Sequence, residues 1–442
     1  MPYEVTGIKM NDEGKCLVDI DGHMHAVKNL LPGETVKVAF KDNTLKVIKY
    51  IKPDDRRQKP PCPIFEECGG CQLQMMDDEQ QLIYKQHIIE SKLQAADMTD
   101  IVVLPTIGMK HLYRYRNKNT TVLSLNKGKI KSGFYEENTH RIIHMDDCRI
   151  QDEKANTIIT DAIRLIKKHK LPVYDEQTET GLIKHVMVRF SDVSGEYMLV
   201  VVTKADYFPG RKNFAKAMKK KHPEIKTVVQ NINPRRTSIV LGDQNHTIYG
   251  PGFIVDKIED ISFAIYANTF YQVNHEGMRK LYDLVIDLAK VKTTDVVVDA
   301  YSGIGTLSLL MAKRAKKTIG IESNPKSVKA AIKNASFNHI KNVRFLTGDV
   351  NQRIDQLSAE KQHVDIVIVD PPRSGLDLSF IEKVVRMNPR KIVYVSCNPQ
   401  TFGRDLKRLR YHGYKSNMVQ PVDMFPQTYH VETVGLLSLK NA

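Results

Sequence analysis

Tryptophan is absent from the sequence, aromatic residues make up only 7% of it, and cysteine occurs six times in 442 residues. Cysteine this sparse excludes a disulfide-stapled secreted fold, so clustered thiols point to metal and an isolated one to chemistry or packing. The missing tryptophan carries no functional message. No apolar run reaches the roughly 18 residues that mark a membrane-spanning helix. The opening stretch MPYEVTGIKMNDEGK lacks the basic-then-apolar order of a secretion signal, and a cytoplasmic protein is the expectation. At this length the chain exceeds one ordinary hydrophobic core, so two or three domains are expected.

Positive charge, by contrast, is in excess. Lys and Arg number 66 against 51 Asp and Glu, a net charge of +15, and the basic residues recur along the whole chain, as in RRQK, KAMKKKHPEIK and KRLRYHGYK. A polyanion is the natural partner, because neutralised phosphates release counterions. A membrane surface is disfavoured, since no basic stretch is coupled to a clear amphipathic apolar face. A monomer is the default expectation.

Residues 1 to 58 alternate short apolar runs with turn signals, in CLVDIDG, HAVKNLLPGETVKVAF and NTLKVIKYI. Short strands broken by Asp-Gly and Pro-Gly predict a small OB-like β-barrel, a shape that presents a face or loops to oligonucleotides. The charged, Pro-rich stretch KPDDRRQKPPCP ends this pattern. Residues 59 to 270 read as an α+β unit: a helix in DDEQQLIYKQHIIESKLQAAD, strands at HVMVRFSD, EYMLVVVT and TVVQNINP, and a helix at RKNFAKAMKKKH. From 271 to 442 the rhythm becomes strict strand-helix alternation, with VVVDA, KTIGIE, VRFLTGD, VDIVIVDPP and KIVYVSC as strands. That alternation predicts an α/β, Rossmann-like, doubly wound parallel sheet with ligands at the carboxyl ends of its strands. The last strand, VETVGLLSL, is expected to pair at the sheet edge.

The first of these strands runs into VVVDAYSGIGTLSLL, where Gly303 and Gly305 allow a tight turn and close approach to a ligand. A dinucleotide fingerprint would want a third glycine where Ser308 stands. Glu322 ends the next strand and could accept hydrogen bonds from ribose hydroxyls; Asp349 ends the third and could reach an adenine amino group. Acids at successive strand ends suit a nucleoside without a pyrophosphate, and S-adenosylmethionine fits that description. Asp370-Pro371-Pro372-Arg373 ends the fourth strand, where two prolines stiffen the loop and hold Asp370 over the cleft. Nucleic-acid amino-methyltransferases use an acid-Pro-Pro-aromatic loop; the arginine here disfavours attack by an exocyclic amine.

Cys397 ends the fifth strand and faces the same cleft. Carbon 5 of a pyrimidine is a poor nucleophile, but a thiolate added at carbon 6 turns the ring into an enolate that can attack a sulfonium methyl group. The proton then left on carbon 5 requires a general base, for which Glu432 in YHVETVGLL is the candidate and His430 an alternative. Gln272 and Asn274, in ANTFYQVN, could hydrogen-bond the methyl donor or the uracil edge. Upstream, CPIFEECGGCQLQ holds Cys62, Cys68 and Cys71, with Cys148 later in HMDDCRI. Four thiolates can hold zinc or an iron–sulfur cluster, and spacing alone leaves both open.

Together FYQVN at 270–274, DAYSGIG at 299–305, DPPRSG at 370–375, SCNP at 396–399 and HVET at 430–433 resemble the RNA uracil-5-methyltransferase family, nearly end to end. The resemblance implies a class I methyltransferase domain with Cys397 as nucleophile and Glu432 as base. It implies donor contacts at Gln272, Tyr301, Thr306, Glu322, Asp349 and Asp370, the last also near the target uracil. The N-terminal barrel is similar to a TRAM domain, an RNA-binding fold. The ribosomal branch of the family carries a [4Fe-4S] cluster on a matching cysteine pattern, so the resemblance favours that cluster at Cys62, Cys68, Cys71 and Cys148. A radical-generating cluster would use Cys-x3-Cys-x2-Cys and leave an iron open, whereas x5 spacing and a fourth thiol suit a closed, structural site. Cys16 is left over as barrel packing. The tRNA-directed branch typically lacks both the TRAM domain and the cysteines, which directs the expectation to 5-methyluridine formation in 23S rRNA, at one uridine or two, with tRNA as the alternative. Retention of Cys397, Glu432 and the acids together argues against a non-catalytic RNA-binding factor on the same scaffold.

Overall fold

The computed structural model describes residues 2–41, 44–126, 129–137, 139, 141–176, 178–237 and 239–439. In the C-terminal part, five runs rich in Val and Ile form parallel strands: Val296–Ala300, Lys317–Glu322, Val343–Thr347, Ile366–Val369 and Lys391–Ser396. The central three of them in the sheet are almost wholly buried, as a parallel sheet covered by helices on both faces requires. Their order across the sheet is third, second, first, fourth, fifth, so the winding reverses between the first and fourth strands. Ligands of such sheets bind at that reversal, outside the carboxyl ends.

The strand Glu432–Leu439 continues this sheet antiparallel to Lys391–Ser396. It is not the edge strand expected from the sequence. Met418–Val422 pairs along its other side, and Val102–Val103 pairs in turn with Met418–Val422. Main-chain groups of the segment around residue 102 thereby cover an edge that would otherwise stay unpaired.

The N-terminal strands form two three-stranded antiparallel sheets, one of Tyr3–Thr6, Thr35–Lys41 and Thr44–Lys52, the other of Lys9–Met10, Cys16–Ile20 and His23–Val27. They share a core of Val5, Cys16, Val18, Val27, Leu30, Val36 and Val38, in which the Cys16 thiol is fully buried packing. A seven-stranded sheet follows, with Ile183–Phe190 and Tyr197–Thr203 at its centre and the helices Glu153–Lys168 and Arg211–Lys221 packed on it.

The helix Asp78–Ala95 starts at a capping box, in which the Asp77 carboxylate accepts the Gln80 N–H and the Gln80 side chain accepts the Asp77 N–H. Its Tyr84, Ile88, Ile89 and Leu93 enter the same core as Val367, Tyr394 and Phe402 of the C-terminal sheet. Lys85, on the same helix, is fully buried and donates to the Asp423 carboxylate and to the Phe425 carbonyl at 3.1 Å. Removing one partner of such a pair leaves the other charge buried and alone. Lys85→Met should therefore lower stability by about 3–5 kcal/mol in denaturant unfolding; a loss below about 1 kcal/mol, the range of exposed pairs, would contradict the burial.

Candidate active site

Ladder register brings the expected residues to one line. Ala300 pairs with Ile321 on one side and Val369 on the other, so the next residues, Glu322, Tyr301 and Asp370, sit abreast at the strand ends. On the antiparallel side the last ladder pair is Ser396 with Thr433, and one further step sets Cys397 opposite Glu432. Directly opposed residues of antiparallel strands have Cα atoms about 4.5–5.5 Å apart and side chains on one face. Gln272, Tyr301, Thr306 and Asp370 line one pocket, together with Asp299 and Tyr282.

Local chemistry explains each loop. Gly303 and Gly305 hold φ of +55° and +81°, and a β-carbon at 305 would meet the Phe345 ring at 2.8 Å, so the turn into the helix Thr306–Ala312 requires glycine there. Tyr301 also has a positive φ, +72°, an uncommon conformation outside glycine that aims its ring at Phe380, 5.9 Å away between centroids. Glu322 is oriented by two backbone donors, Gly303 N–H at 3.0 Å and Asn324 N–H at 2.7 Å. Asp349 lies two residues beyond the end of its strand at Thr347 and caps the helix Val350–Ala359 through Asn351 N–H at 2.9 Å. After Cys397, Asn398 caps the helix Pro399–Tyr411 by accepting the Gln400 N–H at 3.1 Å, and donates to the Arg373 carbonyl at 2.7 Å. One asparagine thus ties the SCNP turn to the DPPR loop.

The pocket is crowded with acids. Burial pushes the Asp370 carboxyl up to about 7. Burial, then the neighbouring Asp370, pushes Glu432 up to about 8, against the pull of Arg373. Asp299 is likewise raised to about 7, by burial above all and by Asp370 in part. Cys397 is pushed up to about 11 by burial, then by Glu432 and Asp370, while Arg373 lowers it. His430 goes the other way, down to about 4, through burial and the cations Arg373, Lys85 and Arg116. Near neutral pH the His430 imidazole is therefore neutral, while the Glu432 carboxyl holds its proton until charge nearby changes.

The remaining thiols gather elsewhere. Cys62, Cys68, Cys71 and Cys148 line one cavity of about 370 Å³, which Arg116 and Lys118 also face. The Cys68 sulfur accepts the Gly70 N–H at 3.3 Å, and the Cys148 carbonyl accepts the Gln151 N–H at 3.1 Å. Among the described residues no three His, Cys, Asp or Glu side chains converge closely enough to hold a single metal ion.

A family model described as tRNA (uracil-5-)-methyltransferase matches residues 77–440. The chain belongs to this family. As a uracil-5-methyltransferase family member it is an S-adenosylmethionine-dependent RNA methyltransferase. It is 39% identical over 444 residues to an uncharacterised RNA methyltransferase of Halalkalibacterium halodurans, spanning 99% of this chain and 97% of that protein. It is 40% identical over 441 residues to another from Caldanaerobacter subterraneus subsp. tengcongensis, spanning 98% and 97%. The fold is that of the tRNA (uracil-54, C5)-methyltransferase of Pyrococcus abyssi, solved with S-adenosyl-L-homocysteine: the TM-score is 0.79 at 24% identity, over 98% of this chain and all of that one. No helix among the described residues is long and apolar enough to cross a membrane.

Against this family background some expected residues turn out to be occupied otherwise. Asn274 caps the helix His275–Ala289 through Gly277 N–H at 3.0 Å, donates to the Met424 carbonyl at 2.9 Å and is itself buried, so both ends of its amide serve the fold. Asp299 escaped the sequence reading although it lines the pocket; it accepts a 2.5 Å hydrogen bond from Ser308, the residue that replaces a third fingerprint glycine. The uracil-5-methyltransferase pocket also predicts a pH effect. A carboxyl whose folded pKa is raised binds more protons folded than unfolded, so its penalty grows from the ordinary value near 4.5 up to about 8 and is complete above that. Glu432→Gln should therefore raise the unfolding midpoint at pH 9 and leave it nearly unchanged at pH 4; an equal change at both would contradict the burial of a titrating group.

Proposed function

We propose that the protein makes 5-methyluridine in 23S rRNA by covalent catalysis. The carrying observation is the register that sets Cys397 opposite Glu432 beside Asp370 and Arg373. Gln272, Tyr301, Thr306, Glu322, Asp349 and Asp370 would hold S-adenosylmethionine, which supplies an electrophilic methyl group when bound. A pocket of buried carboxyls that gain from a nearby positive charge suits a sulfonium cation. The target uridine is flipped out of its stack, because carbon 6 is otherwise covered. Cys397, its proton lost to solvent and its thiolate favoured by Arg373, would add to carbon 6; carbon 5 would take the methyl group as the methyl–sulfonium bond breaks and S-adenosylhomocysteine leaves; Glu432 would take the carbon 5 proton as the Cys397–carbon 6 bond breaks. Glu432, which the strand register sets opposite Cys397, rather than His430 is assigned as the base.

The rest of the chain would grip the RNA. We assign residues 1–58 as a TRAM-like RNA-binding barrel, 59–270 as a central RNA-binding domain and 271–442 as the catalytic domain, acting as a cytoplasmic monomer on an rRNA hairpin or loop. Cys62, Cys68, Cys71 and Cys148 would hold a [4Fe-4S] cluster. A single tetrahedral ion needs all four sulfurs within about 2.3 Å of one point, whereas a cluster offers one iron to each thiolate and accepts sulfurs spread around a cavity. The backbone N–H of Gly70 aimed at the Cys68 sulfur suits a thiolate that carries charge.

A second reading, a tRNA substrate, is favoured by the whole-length fold shared with the Pyrococcus abyssi tRNA enzyme, which weakens any inference from architecture to ribosomal RNA. Mapping 5-methyluridine by mass spectrometry in cells with and without the gene separates the two. Loss from 23S rRNA, at one position or two, supports the first; loss from tRNA alone replaces it with the second. Cys397→Ala should bind RNA yet transfer no methyl group, and Glu432→Gln should accumulate an RNA adduct stable to denaturing electrophoresis. Turnover by Cys397→Ala would end the covalent mechanism.

A further inference from the structure

Between the strand ending at Val422 and Glu432 runs the segment 423–431, DMFPQTYHV, which sets where Glu432 enters the site. Its polar groups are tied down from several elements. Lys85 holds Asp423 and the Phe425 carbonyl, Asn274 holds the Met424 carbonyl, and the Tyr115 hydroxyl donates to the Pro426 carbonyl at 3.0 Å. The densest point is Gln427, which is 2% exposed and has a φ of +71°. A non-glycine residue does not adopt that backbone by its own preference, so its neighbours impose it.

Those neighbours are identifiable. The Gln427 N–H donates to Gln81 Oε1 at 3.0 Å, and Gln81 Nε2 donates to Gln427 Oε1 at 3.2 Å. The Gln427 carbonyl accepts the N–H groups of Gln72 at 2.9 Å and Leu73 at 3.1 Å, the two residues directly after Cys71. Gln81 is 3% exposed on a helix whose other inward positions are largely apolar. A buried amide there loses its hydration, and what it gains is direction: both hydrogen bonds fix one orientation of the Gln427 peptide.

We propose that Gln81 is a positioning residue for proton removal, acting through Gln427 as a two-point amide clamp on the segment that delivers Glu432. The proposal rests on the reading of Glu432 as the base. Without the clamp, Cys397 still adds and the methyl group is still transferred, because Cys397 and the pocket residues at the ends of the parallel strands lie outside the segment. What slows is loss of the carbon 5 proton and hence release of Cys397.

The test uses the full-length protein as purified, with S-adenosylmethionine and whichever RNA loses 5-methyluridine in cells lacking the gene. Gln81→Leu removes both bonds to Gln427, and with them the bond from Gln81 Nε2 to the Met76 carbonyl at 3.1 Å, at similar bulk. Gln81→Glu keeps the acceptor for the Gln427 N–H and lets the Gln427 amide turn to donate. For Gln81→Leu we expect first-turnover methyl transfer within about twofold of the parent, steady turnover down about tenfold or more, and a denaturation-resistant adduct; Gln81→Glu should recover turnover to within about threefold. Normal turnover without adduct, or equal loss of transfer, turnover and S-adenosylmethionine affinity, overturns the proposal, the latter being what mere structural damage produces. Should Gln81→Leu not fold, Gln427→Gly keeps the backbone conformation, deletes the side-chain half of the clamp and is read the same way. Glu432→Gln runs in parallel: no adduct from it refutes the base itself, whereas adduct from it and none from the clamp variants refutes only the clamp.

Discussion

One antiparallel step, the pairing of Ser396 with Thr433, carries Cys397 and Glu432 to opposed positions at the end of two neighbouring strands. A slip of one residue would turn one of them to the other face of the sheet, so the chemistry depends on register more than on any single contact. The packing around that step defends it. Gly435 lies where a β-carbon would meet the Phe402 ring at 3.0 Å, and Tyr394 is fully buried, its hydroxyl bonded to Asp405 at 2.9 Å. Glu432 itself pairs with Val422, which fixes the strand from its other side.

The same convergence carries an electrostatic cost. Asp299, Asp370 and Glu432 are all held away from water, so each resists ionisation, and Asp370 raises the other two. Arg373 offsets only part of this, and it reaches the pocket because Asn398 anchors its carbonyl. Stability is thereby given up at a site tuned for function, a common pattern where a base must hold its proton affinity near neutral pH.

Much of this was legible in the residues. VVVDA, KTIGIE and KIVYVSC form strands because β-branched runs bounded by turn signals have few alternatives, and the five strand ends could be aligned before any coordinates. The interior place of Glu432–Leu439 was not legible. It depends on Met418–Val422 and on Val102–Val103, whose pairing partner lies more than three hundred residues away and leaves no local trace. Asn274 and Asp349 illustrate a second limit: a polar residue at a strand end reads as a ligand contact, and its further role as a helix cap emerges only from the geometry. The Gln81–Gln427 pair and the Lys85–Asp423 pair were invisible for the same reason as the strand order, since neither glutamine nor lysine in a helix announces that it is buried.

The most direct test of the account is to present the enzyme and S-adenosylmethionine with substrate RNA carrying 5-fluorouridine. Fluorine at carbon 5 cannot leave as a proton, so a covalent mechanism stalls after methyl transfer. Digestion and mass spectrometry should then find the methylated fluoronucleotide on the peptide containing Cys397. A nucleotide on another cysteine, or no adduct while ordinary RNA is fully methylated, would contradict the arrangement of Cys397 opposite Glu432 as the seat of the reaction.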